Sequence, residues 1–142
     1  MFNKILVAID GSEVSKKALG VAIDEANAWS AELHAIYVIE TGMLSSIPVD
    51  NTLEVIYSLL ENEGTDTLEE SQNTASKAGV ELHTHIAHGH AGNEILKQAE
   101  GMNADLIILG SHGKSEVDRL LIGSVTTYVV RHSSITTLVV RS

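Results

Sequence analysis

The chain contains no cysteine, which excludes a disulfide scaffold, a zinc ribbon and a thiol nucleophile. No apolar run approaches the ~20 residues that a bilayer-crossing helix needs. Positive charge is scarce: nine Lys and Arg stand against nineteen Asp and Glu, for a net charge of −10. So acidic a surface repels phosphate backbones and anionic lipid, so neither nucleic acid nor membrane is an expected partner. One small anion held by a few local donors remains compatible with it. A signal-peptide pattern is also missing, since Met1-Phe2-Asn3-Lys4 runs directly into a strand-like segment; the expected location is the cytoplasm. What is present is ordinary globular material: 142 residues, 44% hydrophobic and 20% charged. A single domain of that length buries roughly 68–70% of its unfolded surface without a metal or a crosslink.

Short β-branched runs alternate with amphipathic stretches. Ile5 to Ile9 is a continuous apolar run ending at Asp10-Gly11-Ser12, the pattern of a strand buried on both faces. From Glu13 to about Trp29, Val14, Ala18, Val21, Ala22 and Ala26 recur at helical spacing, with Ser12 placed to cap and Glu13 suited to the positive helix end. Leu33 to Ile39 reads as a second strand. A loose stretch, Glu40 to Asn51, holds the only proline, Pro48, and is either a lid or disordered. A polar helix is expected from about Leu53 to Lys77, and Gly64 inside it predicts a kink or fray. Val80 to Ala87 is the third strand, Glu94 to Glu100 a short helix opened by Gly92-Asn93, and Asp105 to Leu109 the fourth strand. Val125 to about His132 forms the last helix and Ile135 to Val140 the last strand.

Strands alternating with helices imply right-handed crossovers and a five-stranded parallel sheet, a doubly wound single domain with helices on both faces. Two strand orders are common for such sheets, one placing the first strand beside the third and the other beside the fourth. In either, ligand is expected beyond the carboxyl ends of the strands, where the winding reverses.

The sharpest motif is Gly110-Ser111-His112-Gly113, then nine residues, then Gly123-Ser124. The first glycine pair follows an apolar strand and the last opens a helix. Each glycine alone is ordinary turn chemistry. Together, they let backbone approach a ligand; Ser124 is placed to cap the helix, and a helix start with free amides and that hydroxyl suits an anion. Lys114 and Arg119 in the intervening loop can add charge. Gly113-Lys114-Ser115 imitates the end of a P-loop, but that motif needs a glycine where Ile108 stands, and no dinucleotide fingerprint follows the first strand.

Asp10 ends the first strand and suits ribose hydroxyls or an adenine amino group, or else only an Asx turn. His112 lies in the glycine loop, where its backbone can touch ligand. His83, His85, His88 and His90 cluster in sequence, with His83 and His85 on one strand face. With no cysteine or nearby carboxylate pattern to complete a metal set, a solvated strand end is the expectation there. His132 closes a helix, where a cation suits the dipole.

These residues resemble the universal stress protein family over essentially the whole chain. Lys4 to Ser12 looks like the family's opening and Ala104 to Gly113 like its fourth strand and loop. The spacing Gly110-x2-Gly113-x9-Gly123-Ser124 is similar to that of its ATP-binding branch. The resemblance implies the strand order 3-2-1-4-5, with Asp10 beside Gly110. It implies that Asp10 and the Val38 backbone serve the nucleoside while Ala8 and Leu109 line the base and sugar. It assigns the phosphates to Gly113, Gly123, Ser124, Val125 and Thr126, with a divalent Mg or Mn ion, and implies ATP (or ADP or AMP) as ligand. It also implies a homodimer through Ile135 to Val140, where an exposed apolar edge needs cover. Glu116 and Asp118 depart from the basic loop that a triphosphate prefers.

Two functions follow. The first is a nucleotide-binding regulatory module in the stress response, which acts when ligand orders the loop from Ser111 to Ile122. The second is a slow ATPase or nucleotidyl-handling enzyme. That reading needs a group to position water, and His112 and Ser124 are its only nearby candidates, neither with an evident base partner, so the module is the preferred reading.

Overall fold

The computed structural model describes residues 1–48, 50–113 and 122–142, with the backbone alone at Met43. The chain runs β1 (Lys4–Ala8), α1 (Glu13–Trp29), β2 (Glu32–Glu40), a 3-10 turn (Gly42–Leu44) and α2 (Asn51–Lys77). It continues through β3 (Leu82–Gly89), α3 (Ala91–Gly101), β4 (Leu106–Gly110), α4 (Ser124–His132) and β5 (Thr136–Val140). The five strands are parallel in the order β3-β2-β1-β4-β5. The fold is therefore the five-stranded α/β sheet expected, and it selects the order with β1 beside β4.

Strand alternation builds two cores. Ile5, Val7, Leu33, Ala35, Leu106 and Ile108 point to one face and pack with α1 and α2. Leu6, Ile36, Ile107 and Leu109 point to the other, against Ile95, Leu96 and Ala99 of α3 and Val129 of α4. Right-handed crossovers dictate this division. The path β1 to β2 to β3 moves one way across the sheet and β3 to β4 to β5 moves back, so the second pair of helices lies on the opposite face.

Local chemistry fixes the element ends. Ser12 caps α1, its Oγ accepting from the Ser15 amide at 3.2 Å. At the end of α2, Gly79 takes φ +79°. The amides of Gly79 and Val80 donate to the carbonyls of Ser76 and Ala75, a glycine-terminated closure that draws Val80 out of the strand. The third strand therefore starts at Leu82 rather than Val80. Helix α3 starts earlier than Glu94 because His90 caps it, Nδ1 accepting from the Asn93 amide at 3.1 Å.

Gly64 corrects an expectation. Helix α2 runs without a break across it. Gly64 is buried, and a Cβ there would stand 2.8 Å from Cδ1 of Tyr37 on β2. The glycine is a notch for a buried ring, not a weak point. Gly20, exposed within α1, has nothing within 4 Å of such a Cβ.

The two glycines should therefore respond oppositely to alanine in urea unfolding. Gly20→Ala should stabilise by about 0.5–1 kcal/mol through helix propensity. Gly64→Ala should destabilise by about 1–2 kcal/mol, because overpacking against the Tyr37 ring outweighs the same propensity gain.

Candidate functional site

The crossovers leave β1 and β4 in opposite directions, and sheets wound in this way offer a crevice at the carboxyl ends of those two strands. Past β1, Gly11 holds φ +84°, a left-handed conformation that suits glycine. The turn is closed by Asp10, whose Oδ1 accepts from the Ser12 amide at 2.9 Å. The other carboxylate oxygen faces β4's side of the crevice: a Cβ on Gly113 would stand 2.9 Å from Asp10 Oδ2. Asp10 thus makes the Asx turn and also borders the glycine loop.

The two glycine segments meet. The Gly123 amide donates to the Ser111 carbonyl at 2.7 Å, while the Ser111 amide donates to the Val140 carbonyl at 2.8 Å. Ser111 has no exposed surface. Thr126, also buried, donates from Oγ1 to the Gly110 carbonyl at 2.6 Å. Helix α4 is thereby pinned with its first turn against the ends of β4 and β5. Gly110 also serves packing, since a Cβ there would come within 2.9 Å of Val14 Cγ1 on α1. His112 sets Nδ1 3.1 Å from Ser111 Oγ.

Ser124 is not the cap of α4, as its position suggested. Gly123 is, and it makes no side-chain cap hydrogen bond. The exposed Ser124 is the first helical residue. The first turns of α1, α2 and α3 carry Glu13, Glu54 and Glu94, whereas that of α4 carries no acidic residue. The positive end of α4 is thus the one that no carboxylate of its own turn offsets. Ala8, Val38, Leu109 and Val125 share the α3/α4 face of the sheet. Lys114, Glu116, Asp118 and Arg119 lie outside the described residues.

The four histidines that adjoin in sequence do not form one group. His88 Nε2 pairs with Glu61 Oε1 of α2 at 2.9 Å. His90 caps α3 and packs on Tyr128, and Tyr128 in turn stacks on His132. His83 and His85 instead join His34 of β2, stacked at ring-centroid distances of 4.7 and 5.1 Å. His34 Nδ1 lies 2.8 Å from His85 Nε2, and His34 Nε2 lies 2.7 Å from Glu32 Oε1. A carboxylate does complete this set, contrary to expectation. It comes from the neighbouring strand, and only the β2–β3 register, His34 opposite His83, reveals it. The hydrogen bond from His34 holds the Glu32 carboxyl below its ordinary pKa. Burial, then the charges of His34 and His83, pushes the His85 imidazole below its own.

The model of the universal stress protein family matches residues 1–141. A universal stress protein of Methanocaldococcus jannaschii is 37% identical over 141 residues, covering 99% of this chain and 83% of that one. The solved universal stress protein of Lactobacillus plantarum superposes with a TM-score of 0.84 at 29% identity, covering 99% and 98% of the two chains. A universal stress protein solved in complex with cAMP superposes with a TM-score of 0.71 at 26% identity, covering 99% and 97%. Among the described residues, no helix is long and apolar enough to cross a membrane.

The Thr126 hydroxyl is the tether of α4. Thr126→Val should strand the buried Gly110 carbonyl and cost about 1–3 kcal/mol in urea unfolding, whereas Thr126→Ser, which keeps the donor, should retain most of that stability.

Proposed function

The chain belongs to the universal stress protein family, and from that premise we propose that it binds an adenine nucleotide, ATP foremost, at the carboxyl ends of β1 and β4 and acts as a regulatory module. The observation that carries this reading is the convergence around the Gly123–Ser111 hydrogen bond. It sets the start of α4 beside a loop whose Gly113 abuts the Asp10 carboxylate. Helix starts of this kind leave their first amides without intrahelical partners, so those of Ser124, Val125 and Thr126 suit phosphate oxygens. The absence of an acidic residue from this turn favours an anion there, despite the net charge of −10.

In this reading Asp10 accepts from the ribose or the adenine amino group, and the Val38 backbone holds the base. Ala8 and Leu109 line the base and sugar pocket on the α3/α4 face. Gly110, His112 and Gly113 supply the near wall of the phosphate path, with Gly123, Ser124, Val125 and Thr126 opposite, and Mg or Mn neutralises the phosphate chain. ADP and AMP would occupy the same place. The cAMP bound by the relative described above supports an adenylate as the ligand class. A symmetric partner covering the β5 edge, where Leu138 and Val139 are partly buried, would give the homodimer and a surface through which ligand is sensed. A regulatory role needs only that ligand favour one arrangement of the loop from Ser111 to Ile122. Hydrolysis needs in addition a group that positions water, and His112 already points its Nδ1 at Ser111.

Calorimetry with ATP, ADP and AMP, each with and without Mg, tests the proposal. Gly123 sits at φ −64° and ψ 162°, a conformation open to any residue, so Gly123→Val alters space rather than backbone strain. It should weaken ATP about tenfold or more, a loss of at least ~1.4 kcal/mol, with the far-UV spectrum unchanged. Undiminished affinity would place the site elsewhere. Phosphate release that collapses in His112→Ala would instead favour the slow ATPase.

A further inference from the structure

At the opposite end of the sheet from the proposed nucleotide crevice, the amino-terminal halves of β2 and β3 carry a second constellation. We infer that Glu32, His34 and His83 form a site for one divalent transition ion of the zinc class, with His85 as its outer hydrogen-bond partner. One ligand atom from each of Glu32, His34 and His83 lies within 4.8 Å of the others. Ligands at zinc bond lengths in a tetrahedral shell stand about 3.4 Å apart, so the three need only side-chain rotation to close on an ion. Glu32 is exposed and His83 half-buried, which leaves both free to turn. His34 is the fixed member, its side chain 12% exposed and stacked between His83 and His85.

Backbone pairing makes the arrangement rigid where it must be. Strands β2 and β3 pair over eight consecutive positions, with His34 directly opposite His83. Same-face neighbours on paired strands stand close enough for side chains to share a ligand. The donor set, two imidazoles and one carboxylate, suits zinc, cobalt, nickel or copper and does not suit magnesium or calcium, which take oxygen shells. The cationic neighbour Lys4, opposite Glu32 in β1, directs its ammonium to the Met102 carbonyl at 3.2 Å. A groove of about 470 Å³ at this end is bordered by Asn27, Gly79 and two of the three ligands, Glu32 and His83.

The protons balance without a further reagent. Glu32, a carboxylate, only accepts, so the His34 Nε2–H donates to it, and with a single proton on its ring His34 accepts at Nδ1 from the Nε2–H of His85. An ion entering between Glu32 and His34 Nε2 displaces that proton. His34 then carries its proton on Nδ1 and donates it to His85 Nε2, and His85 carries its own on Nδ1. Each ring keeps one proton and changes tautomer. This is the carboxylate-metal-imidazole arrangement with an outer acceptor that orients bound histidines. The ion would tie β3, the sheet edge, to β2.

The test uses the full-length, tag-free, nucleotide-free chain titrated with Co²⁺ alone, followed by Zn²⁺ displacement. Saturable binding of one Co²⁺ per chain with visible d–d absorption is expected, and Zn²⁺ should displace it. His85→Ala should lower the affinity by about 10–100-fold as an outer partner, and His83→Ala by more. His88→Ala and His90→Ala should leave it unchanged. Failure of Co²⁺ to saturate, wild-type affinity in His83→Ala, or loss in His88→Ala or His90→Ala would each overturn the assignment. Imidazole ¹⁵N spectra of the unmutated chain give a readout independent of variant folding. On adding Zn²⁺, the ring nitrogens of His34 and His83 should move while those of His88 and His90 stay, and the reverse pattern would refute the site.

Discussion

Strands β1 and β4 are buried on both faces, and the rest of the molecule follows from how that burial is met. Ile5, Leu6, Val7, Ile107 and Ile108 have no exposed surface. Their alternate side chains project to opposite sides, so each side needs its own layer of helices. A chain obeying right-handed connection can supply two such layers only by winding outward from the sheet centre in both directions. The winding reverses between β1 and β4, the place where sheets of this kind leave a crevice. Burial of a few aliphatic side chains thus decides where a ligand can sit, before any polar residue is considered.

The polar residues then determine what the crevice can hold. Gly123 and Ser111 are joined through backbone, Thr126 ties α4 to Gly110, and Asp10 turns its carboxylate toward Gly113. Glycine serves different ends within a few residues of this corner. Gly11 supplies a left-handed turn, Gly110 admits Val14, and Gly113 makes room for Asp10. The spacing pattern alone does not separate the glycines that serve packing from those that the proposal sets against a ligand. Against a net charge of −10, the proposed anion site would depend on local donors, such as a first turn of α4 that carries no carboxylate, rather than on the overall field.

The alternation of elements was legible in the sequence because each strand is a short apolar run and each helix has a striped face. Helix α1 falls on the same residues in both readings, since Ser12 and Glu13 mark its start chemically. Strand order was not legible from periodicity, which left β1 beside β3 or β4; the family resemblance supplied the choice that the structure bears out. Other features escaped because they depend on a partner distant in sequence. Gly64 looks like a helix breaker until Tyr37 is seen against it. His34 looks isolated until the β2–β3 register sets it opposite His83. His90 looks like one of a run of histidines until it caps α3. The convergence of the glycine segments was expected, but Ser111, whose carbonyl receives the Gly123 amide, carried no signal beyond its place in the loop.

The proposed adenine nucleotide sits where β1 and β4 end. Backbone amide ¹H–¹⁵N spectra of the uniformly labelled chain, recorded as Mg-ATP is added, test this placement most directly. Saturable shifts are expected at Asp10, Gly113 and Gly123 through Thr126, with the amides of Leu33, Leu82 and other residues at the opposite end of the sheet unmoved. Shifts confined to that opposite end, or a spectrum unchanged at saturating nucleotide, would contradict it.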